Sequence, residues 1–100
     1  MDDVNKLFVK HTQEDGEDKL SIYTKEGVMI ARASCPVLPG DSVESAVGAM
    51  FSGYDQACDL APRFDAKRIV VQSNVPGVEE RFGAMMAEID ELSKGGNTGQ

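Results

Sequence analysis

A chain of 100 residues with 41% hydrophobic and 27% charged content makes one ordinary globular domain, able to bury roughly two-thirds of its unfolded surface without staples. Seventeen acidic against ten basic residues give a net charge of −7, which repels nucleic-acid phosphates and suits either solubility or attraction to a basic partner. No apolar run approaches the ~18 residues of a membrane span, and the acidic start MDDVNKLFVK lacks the basic region of a secretory signal, so a cytoplasmic location is expected.

KLFVKH, from Lys6 to His11, is a short apolar-rich run that predicts a first strand. TQEDGED follows as a polar turn over residues 12–18, carrying Glu14, Asp15, Glu17 and Asp18 on one exposed hairpin. Lys19 to Lys25 alternates, with Leu20, Ile22 and Thr24 on one face, and Glu26-Gly27 supplies a tight turn. VMIARAS (28–34) returns as a third strand, and CPVLPG then breaks the ladder with two prolines.

Asp41 reads as a helix cap with Glu44 three residues on. Val43, Val47, Met50, Tyr54, Ala57, Cys58 and Ala61 share a face at helical spacing until Pro62 stops the helix. Lys67 to Ser73 is a fourth strand, whose Ile69-Val70-Val71 predicts cover on both faces. Pro76 suits the first turn of a second helix, on which Val78, Phe82, Met85, Ile89 and Leu92 step by four and three. Gly95-Gly96 is expected to end it.

The order βββαβα predicts an α+β domain over residues 1–94. It comprises an antiparallel three-stranded meander, a helix, a fourth strand and a second helix, with both helices on one face of the sheet. Residues 95–100 are expected to be a disordered tail. Cys35 and Cys58 sit at no ligand spacing and read as free thiols, with Cys58 buried on its helix. His11, the sole histidine, reads as a polar residue on a surface strand.

The same element order opens the ribonuclease H-like fold, whose two-metal chemistry draws carboxylates from the middle of strand one, the first helix and the end of strand four. Here strand one offers Leu7, Phe8, Val9 and Lys10, and Asn74 follows strand four, so no metal site and no cofactor are expected. The serines lack a nucleophile-elbow context, and no phosphate-binding glycine loop occurs. The chain is therefore expected not to be an enzyme.

Acidic residues without an evident structural task remain. Glu44, Asp55 and Asp59 fall along one flank of the first helix; Glu80 and Glu91 lie opposite the apolar stripe of the second, flanked by Glu88 and Asp90. KLSIYTKEGVMIARAS, GDSVESAVGAM and RIVVQSN, over residues 19–74, resemble the hairpin, helix and strand of small phage-encoded type I CRISPR inhibitors, the anti-CRISPR proteins. That resemblance implies a non-catalytic, protein-binding inhibitor in the host-cell cytoplasm. Its partner would be a basic, nucleic-acid-handling CRISPR effector subunit, with no direct nucleic-acid contact. Glu14, Asp15, Glu17, Asp18, Glu44, Asp55 and Asp59 are the expected partner-binding residues. The alternative is a structural or oligomerising module, or a ribonuclease H-like domain without activity, and a homodimer is left open.

Overall fold

The structure, a computed structural model, describes the backbone of residues 5–98 and the side chains of residues 5–89. Three strands, β1 (Lys6–Glu14), β2 (Glu17–Thr24) and β3 (Met29–Pro36), form an antiparallel meander. Helix α1 (Ser42–Leu60) and a 3-10 turn (Ala61–Phe64) lead to β4 (Arg68–Ser73) and helix α2 (Val78–Thr98). The mixed sheet has the order β3-β2-β1-β4, with β4 parallel to β1. A parallel neighbour needs a long crossover, and α1 provides it by carrying the chain from one sheet edge to the other. The α+β class and the βββαβα order are those predicted. Among the described residues no helix is long and apolar enough to cross a membrane.

The first turn is tighter than its polar composition predicts. The β1–β2 ladder runs through Thr12, Gln13 and Glu14 to Glu17 and Asp18, leaving only Asp15 and Gly16 at the tip. Both tip residues have positive φ (54° and 74°), as a two-residue hairpin turn requires. Gly27 turns the second hairpin at φ 89°, as expected. Asp41 caps α1 by accepting hydrogen bonds from the Val43 and Glu44 amides. Pro62 falls in the 3-10 turn that ends α1. Pro76, by contrast, sits in the bend before α2 rather than within its first turn, and the α2 backbone continues past Gly95-Gly96 to Thr98. Leu92, Asp90 and Glu91 lie outside the described side chains, and residues 99–100 of the expected tail lie outside the described residues.

Two apolar clusters hold the helices to one face. Leu7, Val9, Leu20, Ile22, Ala49 and Ala57 form the first; Ala46, Val47, Met50, Val78 and Phe82 form the second, between α1 and α2. Phe82 packs between Phe51 and Tyr54, with ring centroids 4.7 and 5.8 Å away. Because α1 touches both the sheet and α2, its buried arc is wider than predicted and takes in Ser45, Ala46, Ala49 and Gly53. Cys58 corrects the prediction: it is exposed, as is Cys35, and both are free thiols. Ile89, 52% exposed, lies past the end of the packed part of the α2 stripe.

The opposite face of the sheet has no helix on it. Ile69 and Val71 pack against the apolar clusters and Val70 on the other face packs against neither, so the cover predicted for both faces of β4 exists on one. Glycines on α1 separate close approach from simple tolerance. A Cβ on Gly53 would lie 2.9 Å from Val9 Cγ1 and 3.1 Å from Leu20 Cδ2, whereas one on Gly48 would meet nothing within 4 Å. Gly48→Ala should therefore stabilise by about 1 kcal/mol through helix propensity. Gly53→Ala, with the same helical gain, should lose stability because overpacking a stiff core costs about 1–3 kcal/mol. Phe82→Ala should cost about 3–5 kcal/mol. Urea unfolding of the three variants checks the sign of each.

Candidate functional site

A buried polar network stands at the end of the sheet where β1 and β4 finish and α1 begins. Asp18 on β2 is fully buried and His11 on β1 is 1% exposed. Alternation places both on the helix-facing side, in line with Leu20 and Ile22 and with Leu7 and Val9. Asp18 accepts from Ser45 Oγ (2.6 Å), His11 Nε2 (2.7 Å) and Gln13 Nε2 (3.0 Å). Burial pushes the Asp18 carboxyl up, but the hydrogen bonds from Ser45, His11 and Gln13, together with the His11 charge, outweigh it and hold the carboxyl below its ordinary value. An ionised carboxylate only accepts, so His11 Nε2 donates to Asp18, and the other ring nitrogen, Nδ1, lies 2.8 Å from Ser73 Oγ. Ser73 Oγ in turn accepts from the Val75 amide (3.1 Å), and Ser45 Oγ from the Leu38 amide (3.0 Å). Among the described residues no buried side-chain polar atom is left without a partner.

Two predictions are corrected by this network. His11 is not a surface residue, and Asp18 cannot belong to an acidic contact surface. Both faced the same constraint: a buried imidazole and a buried carboxylate each satisfy the other, at a depth neither tolerates alone.

The connectivity Ser73–His11–Asp18 is that of a hydrolytic relay, yet its surroundings are those of a core. The imidazole has almost no exposed edge to meet a leaving group, and Ser73 Oγ is held by the Val75 amide. The network also occupies the places from which ribonuclease H-like carboxylates converge. His11 stands on strand one, Ser45 on the first helix and Ser73 at the end of strand four, with Asp18 the one carboxylate among them. Its two oxygens accept from three protein donors, two at Oδ1 and one at Oδ2. No group of three or more His, Cys, Asp or Glu among the described residues is arranged to hold a metal ion.

The network gathers acidic groups around it that are distant in sequence. Gln13 ties the first hairpin to both neighbours: its amide N–H donates to Asn74 Oδ1 (3.0 Å) and its side-chain amide to the Ser42 carbonyl (2.9 Å). The hairpin residues Glu14, Asp15 and Glu17, all exposed, therefore share one end of the molecule with exposed Asp41 and Glu44 of α1. Glu79 and Glu80 in the first turn of α2 join them. Asp41, Glu79 and Glu80 are additions that need the fold to be seen. Some of these carboxylates have local work: Asp41 caps α1, Glu79 accepts from the Ser73 amide (2.8 Å), Glu44 pairs with Arg81, and Glu14 lies 3.8 Å from Lys19. Asp15, Glu17 and Glu80 make no ion pair or side-chain hydrogen bond among the described residues. Asp55 and Asp59 are exposed but separate: at 1.5 Å per residue, Asp55 lies about 16 Å along α1 from Glu44.

The bases gather elsewhere. On the open sheet face, register sets Lys6 beside Arg68, and Lys10 beside Ser21 and Gln72, with Ser21 paired to Arg32. Between those rows lie Phe8 and Tyr23, also register partners. The fold thus separates its charge into an acidic end and a cationic sheet face.

No family model matches this chain, and no curated protein matches it either.

The pH dependence of the network follows from the lowered Asp18 value. A carboxyl whose folded value lies below its unfolded value of about 4 adds stability above that pH and loses it as pH falls through the folded value. Removing the buried charge by Asp18→Asn should cost about 3–5 kcal/mol at neutral pH. Thermal melts from pH 7 downward should show the gap between wild type and variant closing below about pH 4.

Proposed function

We propose that this chain is a non-enzymatic binding protein that docks its acidic end on a basic surface of a nucleic-acid-handling protein. The resemblance of residues 19–74 to type I CRISPR inhibitors makes a CRISPR effector subunit the partner, with target-DNA access as the step blocked. One observation carries the reading: the fold brings Glu14, Asp15 and Glu17 of the first hairpin to the same end as Asp41, Glu44, Glu79 and Glu80, and of these Asp15, Glu17 and Glu80 make no ion pair or side-chain hydrogen bond among the described residues. Glu14 and Glu17 are direct cross-strand partners, an arrangement of like charges that costs stability and that folding alone does not need. Such a surface speeds association with a basic partner and makes it salt-sensitive. Asp18 is excluded from the contact, and Asp55 and Asp59 form a second, remote patch.

An oligomerising module is the second reading, favoured by β3. That strand is a sheet edge, and Val28, Met29 and Leu38 around it are 58%, 46% and 64% exposed. The register irregularity at Ile22/Tyr23 and Pro36 at the strand end both blunt the edge against pairing, which places this reading second.

Capture by purified type I effector complexes at low and high salt tests the first reading. Reversing Glu14, Asp15 and Glu17 to Lys should leave the melting temperature nearly unchanged and weaken capture at low salt about ten-fold or more. Reversing Asp55 and Asp59 should have the smaller effect. Absence of capture at low salt, or capture indifferent to the hairpin reversals, would contradict it, and a concentration-dependent dimer by sedimentation would favour the second reading.

A further inference from the structure

We propose that the open face of the sheet binds single-stranded nucleic acid, with Phe8 and Tyr23 stacking against bases and Lys6, Lys10, Arg32 and Arg68 neutralising phosphates. Strand pairing lays an apolar row across all four strands in the order Val70, Phe8, Tyr23, Met29. At about 4.8 Å between strands this row is about 14 Å wide. On one side of it Arg68 and Lys6 are register partners; on the other, Gln72, Lys10, Ser21 and Arg32 form a polar and cationic row. A strand laid along the apolar row meets two aromatic side chains in the middle and cations at either margin.

Several features are not needed for folding. Lys6 and Arg68 place like charges side by side, which costs stability. Within the strands, this face holds five of the ten basic residues of the chain, and its only acids are Glu14 and Glu17 at the hairpin end. Lys6, Arg32 and Arg68 make no ion pair or side-chain hydrogen bond among the described residues. Lys10 Nζ lies over the Tyr23 ring, 5.2 Å from its centroid, so a cation and an aromatic ring are already in contact where a phosphate and a base would arrive together. A shallow groove of about 390 Å³ opens there, lined by Phe8, Lys10, Tyr23, Thr24 and Gln72 among others.

The chemistry selects the ligand. Paired aromatic rings flanked by cations are the means by which sheets hold unpaired bases without reading sequence. Among the described residues no helix or loop stands on this face to enter a duplex groove. The net charge of −7 does not oppose this, because phosphates within a Debye length of about 8 Å respond to the local face more than to the distant acidic end. The inference is independent of the protein-docking reading, which uses the acidic end.

Fluorescence anisotropy of the full chain with labelled single-stranded DNA, single-stranded RNA and the matching duplex, over a salt series, tests it. Single strands should bind at low salt and more tightly than duplex. The slope of log affinity against log salt should be about −2 to −3.5, the range for three to five phosphates. Tyr23→Ala should weaken binding about ten-fold. Lys10→Glu with Arg32→Glu, both at exposed positions, should weaken it and flatten the slope while the melting temperature holds. The hairpin reversals of Glu14, Asp15 and Glu17 should leave strand binding intact or strengthen it, so that the two proposals fail separately. The inference is overturned by duplex preference, by single-strand affinity that survives both sets of sheet-face substitutions, or by the absence of single-strand binding at low salt.

Discussion

A carboxylate with no exposed surface must find its donors inside the protein, and Asp18, on β2, finds three of them on two other elements. Removing an anion from water costs several kcal/mol unless its lone pairs are met. The donors come from β1 through His11 and Gln13, and from α1 through Ser45. His11 passes the connection to Ser73 at the end of β4, and Ser45 passes it to the Leu38 amide in the loop before α1. One buried charge thereby fixes where the first hairpin, the start of α1 and the β4–α2 bend meet.

The distribution of surface charge follows from that meeting point. With the hairpin tip tied to the N-termini of both helices, carboxylates from three stretches of sequence share one end. Helix N-termini welcome negative charge, which accounts for Asp41, Glu44 and Glu79 in structural terms. It does not account for Asp15 and Glu17. With both helices on one face, the other face of the sheet carries half-buried Phe8 and Tyr23 among basic side chains. The molecule is thus polar in the electrostatic sense, and net charge alone conceals it.

The elements were legible because their periodicity was strong. Leu20 and Ile22 alternate up to Gly27, and Val78, Phe82 and Met85 recur at helical spacing, so the hairpin and both helices follow from pattern. The network was less legible, although a signal existed. Extending the alternation backward from Ile22 and Leu20 puts Asp18 on the buried face, and extending it forward from Leu7 and Val9 does the same for His11. Polarity masked this, because Thr12, Gln13 and Glu14 look like turn residues and the strand carries on through them. Cys58 was misplaced because α1 buries an arc turned toward both the sheet and α2, which no single-helix pattern defines. The convergence of Glu44 with Glu79 and the hairpin, and the rows on the open sheet face, depend on long-range pairing. Sequence spacing carries no record of that register.

The central claim is that the Asp18 network, rather than apolar packing alone, holds the acidic end together. Amide hydrogen exchange on Asp18→Asn, under conditions where the variant remains folded, tests it most directly. The account predicts that protection falls together at the ends of β1 and β4, in the first turn of α1 and in the residue 73–75 bend, while the Gly27 hairpin end of the sheet and the C-terminal half of α1 keep theirs. Loss confined to the β1–β2 tip, or spread evenly over the whole sheet, would contradict it.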